Sequence, residues 1–145
     1  VVIVGEGPLG NSLKNKIGIL NLKDNVLMYG RAKDSSEIAQ LINESKILVM
    51  PSYNEGGPRV VVEAMACGVP VLATPVGIVP DIVKDGESGV IIDWQSDDMA
   101  LKAKELLSNT EKYYKYSQNS VKIAEQFKKE TTIRNYADKL KEILG

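Results

Sequence analysis

The chain contains 145 residues, which is enough for one domain with a sizeable hydrophobic core. Hydrophobic residues make up 43% of it and charged residues 26%, and the net charge of −1 gives no electrostatic case for nucleic-acid or membrane-surface binding. Histidine, the commonest general base and zinc ligand, is absent. The one cysteine, Cys67, excludes an internal disulfide and suits a reducing compartment, so we expect a cytoplasmic protein.

Residues 1–92 alternate short apolar runs with helical patterns. The predicted strands are Val1–Val4, Val26–Tyr29, Ile47–Met50, Val71–Ala73 and Val90–Ile92. The predicted helices between them run from Pro8 or Leu9 to Ile17, from Ser35 through Ile42, over Arg59–Cys67 and over Pro80–Lys84. This alternation predicts an α/β fold with a doubly wound parallel sheet.

Local signals mark several helix ends. Gly18 and Gly68 are predicted to stop the first and third helices, because glycine readily takes the left-handed backbone found just after a helix. Asp34 and Glu37 have the spacing of a capping box at the start of the second helix.

From Ser96 onward the pattern is helical only. Ser96 or Asp97 is predicted to cap one helix, and a second is predicted over Glu111–Lys128. The last helix carries apolar side chains at helical spacing: Ile133, Tyr136, Ala137, Leu140, Ile143 and Leu144. The sequence therefore predicts a helical C-terminal tail.

A glycine-rich turn follows the first predicted strand. Its spacing, Gly5-x-Gly7-x-x-Gly10, is that of a dinucleotide-binding fingerprint. That fingerprint requires an acid at the end of the second strand, whereas Asp24 precedes that strand and Arg31 follows it. An NAD-binding domain of an oxidoreductase is therefore one alternative. A tight turn that lets a helix pack on a strand is another.

The stretch 51–80, PSYNEGGPRVVVEAMACGVPVLATPVGIVP, is the most informative part of the sequence. A predicted strand leads into a loop containing Glu55, Gly56, Gly57 and Pro58, and a helix starts at Arg59. The N-terminus of a helix, together with an arginine, suits a phosphate group. Glu55 and Glu63 suit hydrogen bonds from sugar hydroxyls. A nucleotide sugar would satisfy all these groups.

The spacing of Glu55 and Glu63 is an E-x7-E motif, and the stretch resembles the signature of family 4 retaining glycosyltransferases, which have the GT-B fold. Further similar segments occur in the family's order, namely VVIVGEGPLG, DNVLMYGR, ILVMPS, IVKDGESGVI and the helical tail. The resemblance implies a Rossmann-like, C-terminal half of a GT-B enzyme over residues 1–145. It also implies that an N-terminal acceptor domain is missing, and the apolar start without methionine leads us to expect a fragment.

The resemblance implies roles for individual residues. Glu55 would be the catalytic-site carboxylate that contacts the transferred sugar, and Glu63 would bind the ribose. The backbone N–H groups of Arg59 and Val60 would hold the distal phosphate, with Gly56, Gly57 and Pro58 forming the loop beside it. Gly-Phe-Gly-Leu is frequent after the first glutamate of the family, so Gly56-Gly57-Pro58-Arg59 is a mild departure.

Three further segments are implied to border the same ligand. The backbone of Gly30, Arg31 and Ala32 would read the edge of the nucleobase. Gly5 and Gly7 would line the donor cleft. Thr74–Asp81 resembles a T-x-x-G-G-x-x-E segment of the family and is expected to border the cleft structurally.

The activity implied is transfer of a sugar from a nucleoside diphosphate sugar to an acceptor hydroxyl with retention, as in polysaccharide or glycolipid biosynthesis. No metal or other cofactor is expected. Membrane association, at the inner face, would come only through the missing part, and the fragment alone is expected to be inactive. A non-catalytic nucleotide-sugar or partner-binding module, and a nucleotide-sugar epimerase, remain as alternatives.

Overall fold

The computed structural model describes residues 1–144 and divides the chain into two compact units, Val1–Gln40 and Leu41–Gly145. The strands are β1 (Val2–Val4), β2 (Leu27–Gly30), β3 (Leu48–Met50), β4 (Val71–Ala73) and β5 (Gly89–Ile91). The helices are α1 (Gly10–Ile19), α2 (Ser35–Asn43), α3 (Arg59–Ala66), α4 (Val79–Ile82), α5 (Ser96–Ser108), α6 (Thr110–Ala124) and α7 (Lys129–Leu144), with a short 3₁₀ helix at Glu125–Phe127.

The first unit contains a two-stranded parallel sheet of β1 and β2. Contrary to the sequence prediction, α1 does not stop at Gly18 but includes it and ends at Ile19. The reversal is at Asn21, which has φ +54°. The N–H groups of Asn21 and Leu22 donate to the carbonyls of Gly18 and Ile17, which is a Schellman motif.

The capping signal at α2 is confirmed in part. The Glu37 N–H donates to Asp34 Oδ1 at 3.0 Å, so Asp34 is the N-cap. The Glu37 carboxylate does not return to Asp34, as a full capping box requires, but accepts from the Lys33 N–H and from the Tyr29 hydroxyl. These two donors hold the pKa of Glu37 below its ordinary value.

The second unit is built on a three-stranded sheet in the order β3-β4-β5. Both pairings are parallel, with Met50 opposite Ala73 and Ala73 opposite Ile91. All three residues of β4 are fully buried, as expected for the central strand of a covered parallel sheet. The predicted α/β class with parallel strands is therefore confirmed in both units.

Helix α3 ends where its sequence predicts. Gly68 has φ +69°, and the N–H groups of Gly68 and Val69 donate to the carbonyls of Met65 and Ala64. A Cβ at Gly68 would lie 3.1 Å from Ser117 Oγ on α6, so the glycine also allows close packing of α6.

The helical tail is confirmed, with changes at its boundaries. The residue before α5 is Gln95, and neither Ser96 nor Asp97 caps this helix, because both lie inside it. The N-cap of α6 is Asn109, whose side chain accepts from the Lys112 N–H at 2.9 Å. Helix α6 ends at Ala124 rather than Lys128. Helices α5 and α6 pack Leu106 and Tyr116 against Leu72, Val90 and Ile92 of the core.

The apolar side chains predicted along α7 are exposed, and none of the described side chains of this helix is buried. Within residues 1–144, no helix has both the length and the apolar character needed to span a bilayer.

A polar cluster joins the end of β5 to α5. Asp98 Oδ2 accepts from the Asp93 N–H at 2.8 Å and from Lys102 Nζ at 3.0 Å. Lys102 Nζ also donates to the Ile91 carbonyl at 3.0 Å. The Asp93 N–H, and then Lys102, hold the pKa of Asp98 below its ordinary value.

We expect this cluster to stabilise the fold in a pH-dependent way. A carboxyl whose pKa is lower in the folded state stabilises the fold above its unfolded pKa, and this stabilisation is lost as the pH falls through the folded pKa. The difference in the free energy of unfolding between the parent and Asp98→Asn should therefore be largest at neutral pH. It should shrink below about pH 4. Urea unfolding from pH 7 to pH 2.5 measures it, with Asp97→Asn on the same helical turn as the control. A constant difference across that range would contradict the prediction.

A second prediction concerns the stability contributed by Gly77, which has φ +53° and lies against the loop after β3. A Cβ there would overlap the carbonyl oxygens of Glu55 and Gly56. Gly86 has φ +76° with no atom within 4 Å of a Cβ. Gly86→Ala should therefore cost about 1–2 kcal/mol for the left-handed backbone alone. Gly77→Ala should cost about 1–3 kcal/mol more, because overpacked atoms must move. Urea unfolding compares the two variants, and equal costs would show that the overlap is relieved freely.

Candidate functional site

The loop after β3 delivers the N-terminus of α3 to the carboxyl edge of the sheet. Pro58 is buried and immediately precedes the helix, with φ −68° and ψ 100° and no side-chain cap. In the part of the chain that the structure describes, no acceptor pairs with the N–H groups of Arg59 and Val60. Two donors therefore point outward at the positive end of the helix dipole, an arrangement that binds anions.

Arg59 and Glu63 lie one turn apart on this helix. Their side chains form an ion pair at 3.8 Å between Arg59 Nη2 and Glu63 Oε1. The Arg59 side chain is 88% exposed and that of Glu63 34% exposed. A pair so accessible to water is weak, so the guanidinium can turn to a bound anion at little cost.

A cavity of about 410 Å³ opens beside the start of α3. Its lining residues come from the loop, from α3, from the turn before α4 and from the 3₁₀ helix: Gly57, Pro58, Arg59, Val62, Glu63, Ile78 and Phe127. The structure therefore brings four of the predicted donor-site residues together around one space.

Phe127 lies inside the helix that the sequence predicts over Glu111–Lys128, and it lines this cavity. The chain changes from α-helix to 3₁₀ helix at Glu125, which rotates Phe127 away from the spacing of α6. No local signal in the sequence shows that change.

Glu55 is half-buried on the loop and is not one of the residues that line the cavity. Its Oε1 accepts a hydrogen bond from the Ser52 hydroxyl at 3.0 Å. The neighbouring backbone is fixed by the Ile78 N–H, which donates to the Gly56 carbonyl at 3.1 Å. The Thr74–Asp81 segment thus lies against this loop through Ile78.

Two residues reach this loop from other strands: Trp94, to which the sequence analysis gave no role, and Thr74, the first residue of the segment expected to border the cleft. Thr74 Oγ1 donates to the Ser52 carbonyl at 2.6 Å, and Trp94 Nε1 donates to the same oxygen at 3.0 Å. Both residues follow strands that run parallel to β3. Their position after the carboxyl ends of these strands is the sequence signal that could have placed them near the site.

In the first unit, the structure brings Gly5 and Gly30 together. The Gly5 N–H donates to the Gly30 carbonyl at 2.7 Å, and the two residues have φ +129° and +82°. Both residues, together with Gly7, line a cavity of about 480 Å³. Arg31 and Ala32 follow Gly30 in a loop whose far end is anchored by the hydrogen bond from the Lys33 N–H to Glu37.

The structure gives no support to the dinucleotide alternative. Strand β2 ends at Gly30 and Arg31 follows it, so no acid stands at the position that would bind a ribose of NAD. Among residues 1–144, no group of three or more Cys, Asp or Glu side chains has the arrangement of a metal site.

Comparison with known proteins identifies the family. The family model described as "Glycosyl transferases group 1" matches residues 1–123. The N-acetyl-alpha-D-glucosaminyl L-malate synthase of Bacillus anthracis is 28% identical over 138 residues, which are 94% of this chain and 35% of that protein. The chain thus spans about a third of the length of that curated relative.

Solved structures agree with this match. The crystal structure of Anabaena HepE in complex with UDP and glucose superposes with a TM-score of 0.84 at 28% identity, over 97% of this chain and 39% of that one. The C-terminal domain of a glycosyl transferase group 1 family protein (LpcC) from Francisella tularensis has a TM-score of 0.78 at 30% identity, over 86% of this chain and 67% of that one. These similarities confirm the Rossmann-like α/β fold of a GT-B enzyme. The chain belongs to the glycosyl transferases group 1 family.

Proposed function

We propose that this chain is the donor-binding domain of a retaining glycosyltransferase, which transfers a sugar from a nucleoside diphosphate sugar to an acceptor hydroxyl. One observation carries the proposal: Arg59, at the open N-terminus of α3, and Glu63 line one cavity. The cavity thus offers anion-binding donors and a hydroxyl-binding acceptor side by side. Family membership and the similarity to HepE, which was crystallised with UDP and glucose, support it.

Each group has a role in this proposal. The N–H groups of Arg59 and Val60 bind the distal phosphate of the donor, and the Arg59 guanidinium leaves Glu63 to offset the phosphate charge. The freed Glu63 carboxylate accepts hydrogen bonds from the ribose hydroxyls. Glu55 accepts from hydroxyls of the transferred sugar. The loop Gly56-Gly57-Pro58 has little side-chain bulk, which allows the donor to approach the backbone.

The residues of the first unit have proposed roles of their own. The backbone of Gly30, Arg31 and Ala32 reads the nucleobase, and Gly5 and Gly7 line the donor cleft. We further propose that no metal takes part, because cationic side chains and the dipole of α3 offset the charge of the leaving diphosphate. The acceptor site belongs to a further, N-terminal domain of the same protein, and any membrane association comes through that domain.

Binding of nucleoside diphosphates tests the role of Glu63. We expect saturable binding of one of UDP, GDP and ADP, with UDP as the first candidate, and no binding of NAD. Glu63→Ala should weaken that binding about 10- to 100-fold, because hydrogen bonds to a charged group are lost. Isothermal titration calorimetry measures the nucleotide selectivity and the effect of the substitution, with Glu105→Ala on the exposed face of α5 as the control. Binding of NAD alone, indifferent to Glu63→Ala, would overturn the proposal.

The division of the enzyme into two domains has its own test. Residues 1–145 produced alone should bind the nucleoside diphosphate weakly, because the Arg and Lys that clamp the diphosphate in the family would lie upstream of them. They should transfer no sugar, because the acceptor site is supplied by the other domain. Sugar transfer to acceptor, assayed by release of the nucleoside diphosphate, compares this fragment with the full-length protein. Measurable turnover by the fragment would place an acceptor site within these residues and contradict the expectation.

A further inference from the structure

Ser52 is the point at which three segments of the second unit meet. Its carbonyl oxygen accepts two hydrogen bonds, from the Thr74 hydroxyl at 2.6 Å and from the Trp94 indole N–H at 3.0 Å. Thr74 is fully buried, directly after the central strand β4, and its hydroxyl also lies 3.4 Å from the Met50 carbonyl. The two donors approach the Ser52 carbonyl from segments that follow two different strands. They therefore fix the position of the Ser52 backbone, from which its side chain extends.

The Ser52 hydroxyl uses its one hydrogen on Glu55. It donates to Glu55 Oε1 at 3.0 Å. A carboxylate offers about four lone-pair sites on its two oxygens. No second hydrogen bond to this carboxylate occurs in the range 1–144, so Oε2 keeps its full accepting capacity. The bond thus orients Glu55 without occupying the oxygen that a ligand would use.

We propose that Ser52 is a positioning residue for Glu55 and that Thr74 and Trp94 in turn hold Ser52 in place. The proposal rests on the proposed function, in which Glu55 accepts hydrogen bonds from the transferred sugar. The contacts lead from Thr74, at the buried end of β4, to the Ser52 carbonyl, and from the Ser52 hydroxyl to Glu55 Oε1. A carboxylate that is already held in one rotamer loses less side-chain conformational entropy when it binds the sugar than a free carboxylate does.

Trp94 makes the proposal testable without removing an aromatic ring. Its ring also stacks on Tyr53, with 6.2 Å between ring centroids and 14° between the planes. Phenylalanine at position 94 keeps a ring for that stacking but has no N–H for the Ser52 carbonyl. Trp94→Phe therefore removes the hydrogen bond while leaving most of the packing.

The experiment uses the full-length protein and measures hydrolysis of the donor, in which water takes the sugar and the nucleoside diphosphate is released. The donors are UDP-glucose, UDP-N-acetylglucosamine, GDP-mannose and ADP-glucose. For the donor turned over fastest, kcat and KM are determined, together with the dissociation constant of the corresponding diphosphate. The variants are Ser52→Ala, Ser52→Thr, Trp94→Phe and Glu55→Gln. The matched control is Ser108→Ala at the end of α5, where the serine hydroxyl donates to carbonyls of its own helix.

We expect Ser52→Ala to lower kcat about tenfold, which is the effect of one hydrogen bond that orients a charged group. The affinity for the free diphosphate should change by less than about twofold, because that ligand does not reach Glu55. Ser52→Thr, which retains a hydroxyl, should restore most of the rate. Trp94→Phe should cause a smaller loss, about threefold, since Thr74 still holds the Ser52 carbonyl.

The remaining outcomes separate the two proposals. If Glu55→Gln abolishes release but Ser52→Ala leaves kcat unchanged, the positioning role is wrong and the proposed function stands. A parallel loss of kcat and of diphosphate affinity in Ser52→Ala would show a general structural role and also overturn the inference. If the full-length protein releases nucleoside diphosphate from none of the four donors, or if Glu55→Gln is fully active, the proposed function and the inference both fail.

Discussion

The parallel register of β3, β4 and β5 is the constraint on which the proposed site depends. Met50, Ala73 and Ile91 lie side by side, so the three strands end at one edge. The pairing continues one residue further, where the Thr74 N–H donates to Met50 and the Ile92 N–H donates to Ala73. A shift of two residues along β4 would carry the Thr74 hydroxyl about 7 Å away from the Ser52 carbonyl, because each strand residue advances about 3.3 Å.

Backbone geometry does as much as side chains to form the cavity. Pro58 immediately precedes α3 and has no side-chain acceptor to cap it, so the helix begins at Arg59 with its first N–H groups open. Gly77 lets the turn before α4 lie directly against the carbonyls of Glu55 and Gly56. The turn then places Ile78 in the cavity wall. The apolar and the polar walls are thus positioned by two residues that contribute almost no side-chain chemistry.

Short-range signals explain which parts were predictable from the sequence. The start of α3 at Arg59, the whole of β4 and the stop at Gly68 depend on neighbours within four residues, and all three are confirmed. The predicted end of α1 was wrong, because asparagine can also adopt the left-handed backbone conformation. The chain turns at Asn21 rather than at Gly18. The hydrogen bond from Trp94 to Ser52 joins residues 42 positions apart, and only the register of the sheet brings them together.

The two glutamates that frame the loop are prepared for a ligand in different ways. Glu55 accepts a hydrogen bond from the neutral Ser52 hydroxyl. This bond orients the carboxylate but does not neutralise its charge. Glu63 is paired with the exposed guanidinium of Arg59, which an incoming phosphate can draw away. In the proposed function a phosphate would therefore bind first at the helix N-terminus and free Glu63 for the ribose. Glu55, already oriented, would require no such exchange to meet the sugar.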